Sequence, residues 1–143
     1  MKLFLDDPLG QFEWLEETLE NARKGNKTVL LFAHIPPGKF ERFYQYFVEE
    51  SQQGYPWLKP SYNEKLLEIL IDYSDIIPIQ LYGHHHTDTF KLIKDKNGKV
   101  VSVGLLAPAV TPWISTLAPE TGGNNPSLRL FKYESASGKV NLP

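Results

Sequence analysis

Apolar and polar positions change their period several times along the chain. Phe12, Leu15, Leu19 and Ala22 recur at helical spacing, with Glu13, Glu16, Glu17 and Glu20 early and Arg23 and Lys24 late, as the helix dipole favours. Asp6 and Asp7 before Pro8 have the order of an N-cap and first-turn proline, and Gly25 supplies a stop. The pattern predicts a helix from about Pro8 to Lys24. Thr28 to Phe32 is an unbroken β-branched and apolar run, the signature of a central strand buried on both faces of a parallel sheet. Phe40 to Val48 is aromatic-rich and predicts a short helix, and Ser51 to Pro60 reads as loop. Ser61-Tyr62-Asn63-Glu64 has the form of a capping box ahead of a helix from Asn63 to Tyr73. Ile76 to Tyr82 is a second buried strand. Thr89–Lys94 and Val100–Leu106 flank an Asn97-Gly98 turn and predict a hairpin, and Ser127 to Tyr133 alternates as a last strand. Strands and helices interleave without linker, repeat or low-complexity tract, so residues 1–143 read as one α/β unit.

Composition narrows the chemistry. The formal charge of −2, from 15 basic and 17 acidic residues, gives no summed field to attract a nucleic-acid polymer or an acidic membrane. With no cysteine, thiol nucleophiles, disulfides and Cys-based metal sites are excluded, and a metal must use His, carboxylate or amide ligands. No apolar run approaches the roughly 20 residues needed to span a bilayer, and the start of the chain shows no signal peptide.

All four histidines fall at the ends of the two predicted core strands: His34 in Ala33-His34-Ile35-Pro36-Pro37-Gly38, and His84, His85 and His86 after Gly83. In α/β sheets the carboxyl ends of strands are where ligands bind. In an extended segment His84 and His86 point one way and His85 the other. Neutral imidazole suits zinc, iron or nickel, so His34, His84 and His86 are the candidate metal ligands. Asp88 is a third kind of candidate: ligand, support behind an imidazole, or plain surface residue. Tyr55 and Trp57, in a Pro- and Gly-rich loop, are candidates for a substrate rim. Asn124 and Asn125 either bind a polar substrate or form turns. Gly122-Gly123 lacks the Lys-Ser or Lys-Thr of a Walker loop. Asn26-Lys27-Thr28 is a glycosylation sequon.

The order His34-Ile35-Pro36-Pro37-Gly38, Gly83-His84-His85-His86-Thr87-Asp88, Ala107-Pro108-Ala109-Val110-Thr111-Pro112 and Asn124-Asn125-Pro126 resembles the acid sphingomyelinase-like phosphodiesterases. The resemblance runs from about Asp7 to Tyr133. It implies the C-terminal half of a calcineurin-like metallophosphoesterase β-sandwich flanked by helices, with a site for two ions, usually zinc. It would place His34 and His84 on one ion and His86 on the other, with His85 behind them. It implies hydrolysis of phosphodiesters or phosphoanhydrides by a hydroxide held on the metals, with nucleotides, choline-containing diphosphates or phospholipid head groups as substrates. Family members are usually lysosomal or secreted.

The family's Asp-x-His, Gly-Asp and Gly-Asn-His motifs do not occur in this chain, so no catalytic residue is assigned in it. The chain therefore reads as the histidine-bearing half of a metallophosphodiesterase, weakly active or inactive without its N-terminal half and prone to self-associate. The alternative is a non-catalytic metal-binding or interaction module. A mononuclear hydrolase built on three imidazoles is a third possibility.

Overall fold

The computed structural model describes residues 7–40, 55–114, 122–135, 137 and 140–141. The helix expected over Phe40–Val48 falls almost wholly outside them. In chain order the elements are α1 (Gln11–Lys24), β1 (Leu30–Phe32), β2 (Lys39–Phe40), β3 (Tyr55–Pro56), α2 (Pro60–Asp72), β4 (Ile79–Tyr82), β5 (Thr89–Lys94), β6 (Val100–Leu106), β7 (Trp113–Ile114), β8 (Gly123–Asn124), β9 (Lys132–Tyr133) and β10 (Val140–Asn141). This mixture of helices and a mixed sheet is the expected α/β class.

Helix α1 starts three residues later than its sequence suggests. Pro8 and Leu9 form a turn and Gly10 takes a left-handed conformation (φ 61°). The turn swings the Asp7 carboxylate over the helix end, where it accepts the Gln11 N–H at 3.0 Å and the Phe12 N–H at 2.8 Å. A negative charge on those first amides is favourable. Helix α2 starts three residues earlier than expected. Pro60, which has no N–H to leave unsatisfied, opens it after Lys59, and Ser61 makes no cap. Asn63, inside the helix, instead accepts the Gly38 N–H at 2.6 Å and ties α2 to the turn that carries His34.

The main sheet runs β1-β4-β6-β5, with β1–β4 and β4–β6 parallel and β5–β6 the expected antiparallel hairpin. In the hairpin turn one Asp95 carboxylate oxygen accepts the amides of Asn97 and Lys99, each at 2.9 Å. Among the described residues β1 is an edge strand. The expectation of a central strand buried on both faces fails there, because no strand pairs beyond it and Phe32 is 69% exposed. The inner strand that delivers histidine is β4. The expected last strand also shrinks: only Lys132–Tyr133 pairs, with β10, while Ser127–Phe131 runs irregularly. Alternation alone could not supply it with a partner strand.

Register assigns the side chains to two faces. Leu31, Gln80 and Gly104 lie in one row, and Phe32, Leu81, Leu105 and Phe90 in the next, on the opposite face. The first face is covered by both helices through Leu19, Ile69 and Leu70, which cluster with Ile77 ahead of β4, and Phe12, Leu15, Leu31 and Leu66 lie around them. Within it a buried polar chain is satisfied: Tyr82 donates to Gln80 Oε1 at 2.8 Å, Gln80 donates to Ser102 at 2.8 Å, and Ser102 donates to the Ile77 carbonyl. Burial pushes the Tyr82 phenol far above its ordinary pKa, so it stays a neutral donor. Gly104 makes room for this ring, since a Cβ there would stand 2.9 Å from Tyr82 Cε2. The second face is largely bare. Phe32, Phe90 and Leu92 are exposed on it, and Ser127, Leu128, Arg129 and Phe131 wall an apolar groove of about 610 Å³ over Phe32, Leu81 and Leu105.

Candidate functional site

Two turns of matching form leave the carboxyl ends of the paired strands β1 and β4, at residues 33–38 and 83–88. They are laced together by the Ala33 N–H to Leu81 O at 3.1 Å and the Gly83 N–H to His34 O at 3.0 Å. Parallel pairing of neighbouring strands thus sets His34 beside His84 although 50 residues separate them. Gly83 permits the approach: a Cβ at that position would stand 3.2 Å from His34 Nδ1.

His34 Nε2 and His84 Nδ1 are 3.4 Å apart, with ring centroids 5.2 Å apart and the rings nearly perpendicular. That separation is long for an N–H hydrogen bond of roughly 2.7–3.2 Å. Two nitrogens on one tetrahedral zinc, each about 2.0–2.1 Å from the ion, stand about 3.3–3.4 Å apart. The spacing therefore also suits two ligands of one ion. Burial first, and then the neighbouring His34 and His86 imidazoles, lower the pKa of His84, which keeps its lone pair available at neutral pH. Among the described residues no group of three His, Asp or Glu side chains is assembled to hold a metal. The pair could therefore take part of an ion's coordination shell, and the remaining ligands would come from elsewhere.

His86 stands apart from that pair. Its ring meets Trp113 edge-on, centroids 4.8 Å apart, and its Nδ1 is buried with no hydrogen-bond partner among the described residues. The run is not extended as the alternation argument assumed. His84 (φ 70°) and His86 (φ 55°) are left-handed, and these two residues, rather than the pleat, send the rings in different directions. Such φ values in bulky residues are uncommon and concentrate at functional sites. His85 lies buried, 3% exposed, with Nε2 accepting the Trp57 indole N–H.

The other candidates divide. Trp57 packs against His84 and His85, with centroids 4.3 and 5.5 Å away. Tyr55 pairs with Phe40 through β3, and its side chain lies outside the described residues. Asn124 donates to the His86 carbonyl at 3.0 Å and to Thr87 Oγ1 at 3.3 Å, so it grips the histidine turn. Asn125 is exposed, and its carbonyl accepts the Ser127 hydroxyl. Asp88 forms an ion pair with Arg129 and bonds no imidazole. Phe40, Asn63, Trp113 and Arg129 support the two turns without having been singled out by sequence. Each acts across at least 25 residues, with no local motif to announce it.

No protein-family model matches the chain. The chain is 38% identical over 132 residues to human acid sphingomyelinase-like phosphodiesterase 3b, covering 92% of itself and 27% of that protein. It is 41% identical over 140 residues to human cyclic GMP-AMP phosphodiesterase SMPDL3A, covering 98% of itself and 28% of the relative. It is 38% identical over 141 residues to sphingomyelinase phosphodiesterase C of Dictyostelium discoideum, covering 94% of itself and 29% of the relative. Nearly all of the chain is thus homologous to part of the acid sphingomyelinase-like phosphodiesterases, and it spans little more than a quarter of their length.

Proposed function

We propose that the chain is the histidine-bearing part of a metal-dependent phosphodiesterase, and that His34 and His84 hold one zinc ion of its site while His86 serves the second. The observation that carries the reading is the 3.4 Å separation of His34 Nε2 and His84 Nδ1 at the ends of adjacent parallel strands. The names of the relatives support phosphodiester hydrolysis as the reaction. Zinc, when bound, supplies a Lewis acid for phosphoryl oxygens and lowers the pKa of water. The chain's own contribution is to aim three imidazoles: Gly83 lets His34 close on His84, and Asn124 holds the His86 backbone. Substrates would be small phosphodiesters or phosphoanhydrides, with nucleotides and phospholipid head groups within that class.

The remaining ligands and the leaving-group acid would come from the rest of a parent polypeptide, packed on the bare sheet face. The exposed rows at Phe32, Phe90 and Leu92, and the relatives' three- to fourfold greater length, support this placement. Secretion or delivery to lysosomes goes with the same reading, and the exposed Asn26-Lys27-Thr28 sequon would then be open to glycosylation. Among the described residues no helix is long and apolar enough to cross a membrane. The second reading, a metal-binding or interaction module without turnover, draws on the lack of a third assembled ligand among the described residues.

Zinc content and turnover of a chromogenic phosphodiester, measured side by side, test the proposal. The chain is expected to bind zinc, to lose it on His84→Ala, and to turn over only when the parent's other part is present. No zinc in the wild-type chain, or retention by His84→Ala, overturns the metal assignment. Turnover by the chain alone overturns the division of labour. Zinc without turnover even in the complete parent selects the binding-module reading.

A further inference from the structure

His84 is held in a left-handed conformation, uncommon outside glycine, on a turn beside that of the exposed His34. Its ring direction is not set by a helix or strand, so whatever packs against it decides where Nδ1 points. Besides the His34 ring, Trp57 packs against it, edge-on with centroids 4.3 Å apart. Trp57 is itself fixed by its N–H bond to His85 Nε2 and by Phe40, whose ring lies 5.2 Å from the indole and 4.7 Å from His85. Phe40 is 4% exposed and sits in β2, directly after the His34 turn. The same aromatic wall therefore adjoins both histidine turns. His85 is buried, and its Nε2 is occupied by the indole N–H instead of facing a ligand.

We propose that Trp57 and His85 form one positioning unit, joined by the indole–imidazole hydrogen bond, that sets the His84 ring for sharing an ion with His34. The inference rests on the zinc reading above and deepens it. It also replaces a substrate-rim role for Trp57 with a supporting one. Groups standing behind a ligating histidine orient the ring, and their loss typically lowers metal affinity by roughly 10–100-fold. The unit is a pair and not two separate contacts, so the second loss should add nothing to the first.

The test uses the full chain and reads zinc affinity by calorimetry together with the His34–His84 ring contact by NMR in the metal-free state. Trp57→Phe, which keeps a ring but removes the N–H, is expected to weaken zinc binding about tenfold and to diminish the contact. His85→Phe should do the same, and the double variant should be no weaker than either single one. His85→Gln, which keeps an acceptor for the indole, should retain most of the affinity. Melting temperatures distinguish positioning from general loss of fold, since the Gln and Phe variants at 85 should melt together while their affinities diverge. Wild-type zinc affinity in Trp57→Phe, or single losses that add in the double variant, overturns the proposal. If the wild-type chain binds no zinc, the metal reading has failed independently. The ring contact then decides the positioning claim: an unchanged contact in Trp57→Phe overturns it and a diminished one sustains it.

Discussion

The two faces of the four-stranded sheet are built to different degrees of completion. On one, Leu19, Ile69, Leu70 and Ile77 are at most 1% exposed beneath the helices, and every polar group of the Tyr82-Gln80-Ser102 chain has a partner. On the other, Phe32 and Phe90 stand in the same register row as buried Leu105 yet are mostly exposed. Both faces carry apolar rows, and they differ in what covers them. The chain thus carries a finished half-core and an open one, and the histidine turns sit at the ends of the strands shared by both.

The sharpest way to break this comparison is to damage the covered face. Leu70→Ala removes a fully buried side chain and is expected to cost about 2–5 kcal/mol in urea unfolding. A much smaller loss would mean that the helices are not seated on the sheet. Next in size, Gly104→Ala presses a methyl group into the Tyr82 ring and should cost about 1–3 kcal/mol. A neutral result would show that the Tyr82 ring can move aside. On the open face Phe90→Ser should change stability by no more than about 0.5 kcal/mol while reducing self-association in sedimentation. A loss like that of Leu70 would mean that this face is already covered in the chain alone.

The smallest effect belongs to the rim where α1 meets the end of α2. Arg23 donates to Asp75, and this bond, ahead of any other cause, holds the Asp75 carboxyl below its ordinary pKa. A lowered folded-state value stabilises fully above the unfolded aspartate value of about 3.9 and is lost as pH falls through the native one. Asp75→Asn should therefore lower the melting temperature slightly near neutrality, and the difference should vanish in acid. A difference that persists in acid would assign the effect to packing.

What the sequence disclosed follows from how local each signal is. The β5–β6 hairpin was legible to the residue because Asn97-Gly98 and its flanking runs determine register nearby. The histidines at strand ends were equally legible, since apolar runs and the prolines and glycines that stop them are neighbours in the chain. The helix starts were misread by three residues each because Asp7 caps from beyond a turn and Pro60 opens a helix without a polar cap. Burial of Thr28–Phe32 was overestimated because a run of apolar residues records what a strand is suited to meet, not whether the partner is present. The grips of Trp57 on His85, Trp113 on His86 and Arg129 on Asp88 join segments far apart, and no spacing rule reaches them.

The Asp95–Lys99 turn lies at the opposite end of β5 from Asp88, six residues of strand or about 20 Å away. That distance makes it a handle. A fluorophore, affinity tag or surface tether joined through Lys96→Cys, at an exposed turn position in a sequence with no other cysteine, would leave both histidine turns facing outward, so that immobilised chains could be screened for ions and phosphodiesters with every site oriented alike.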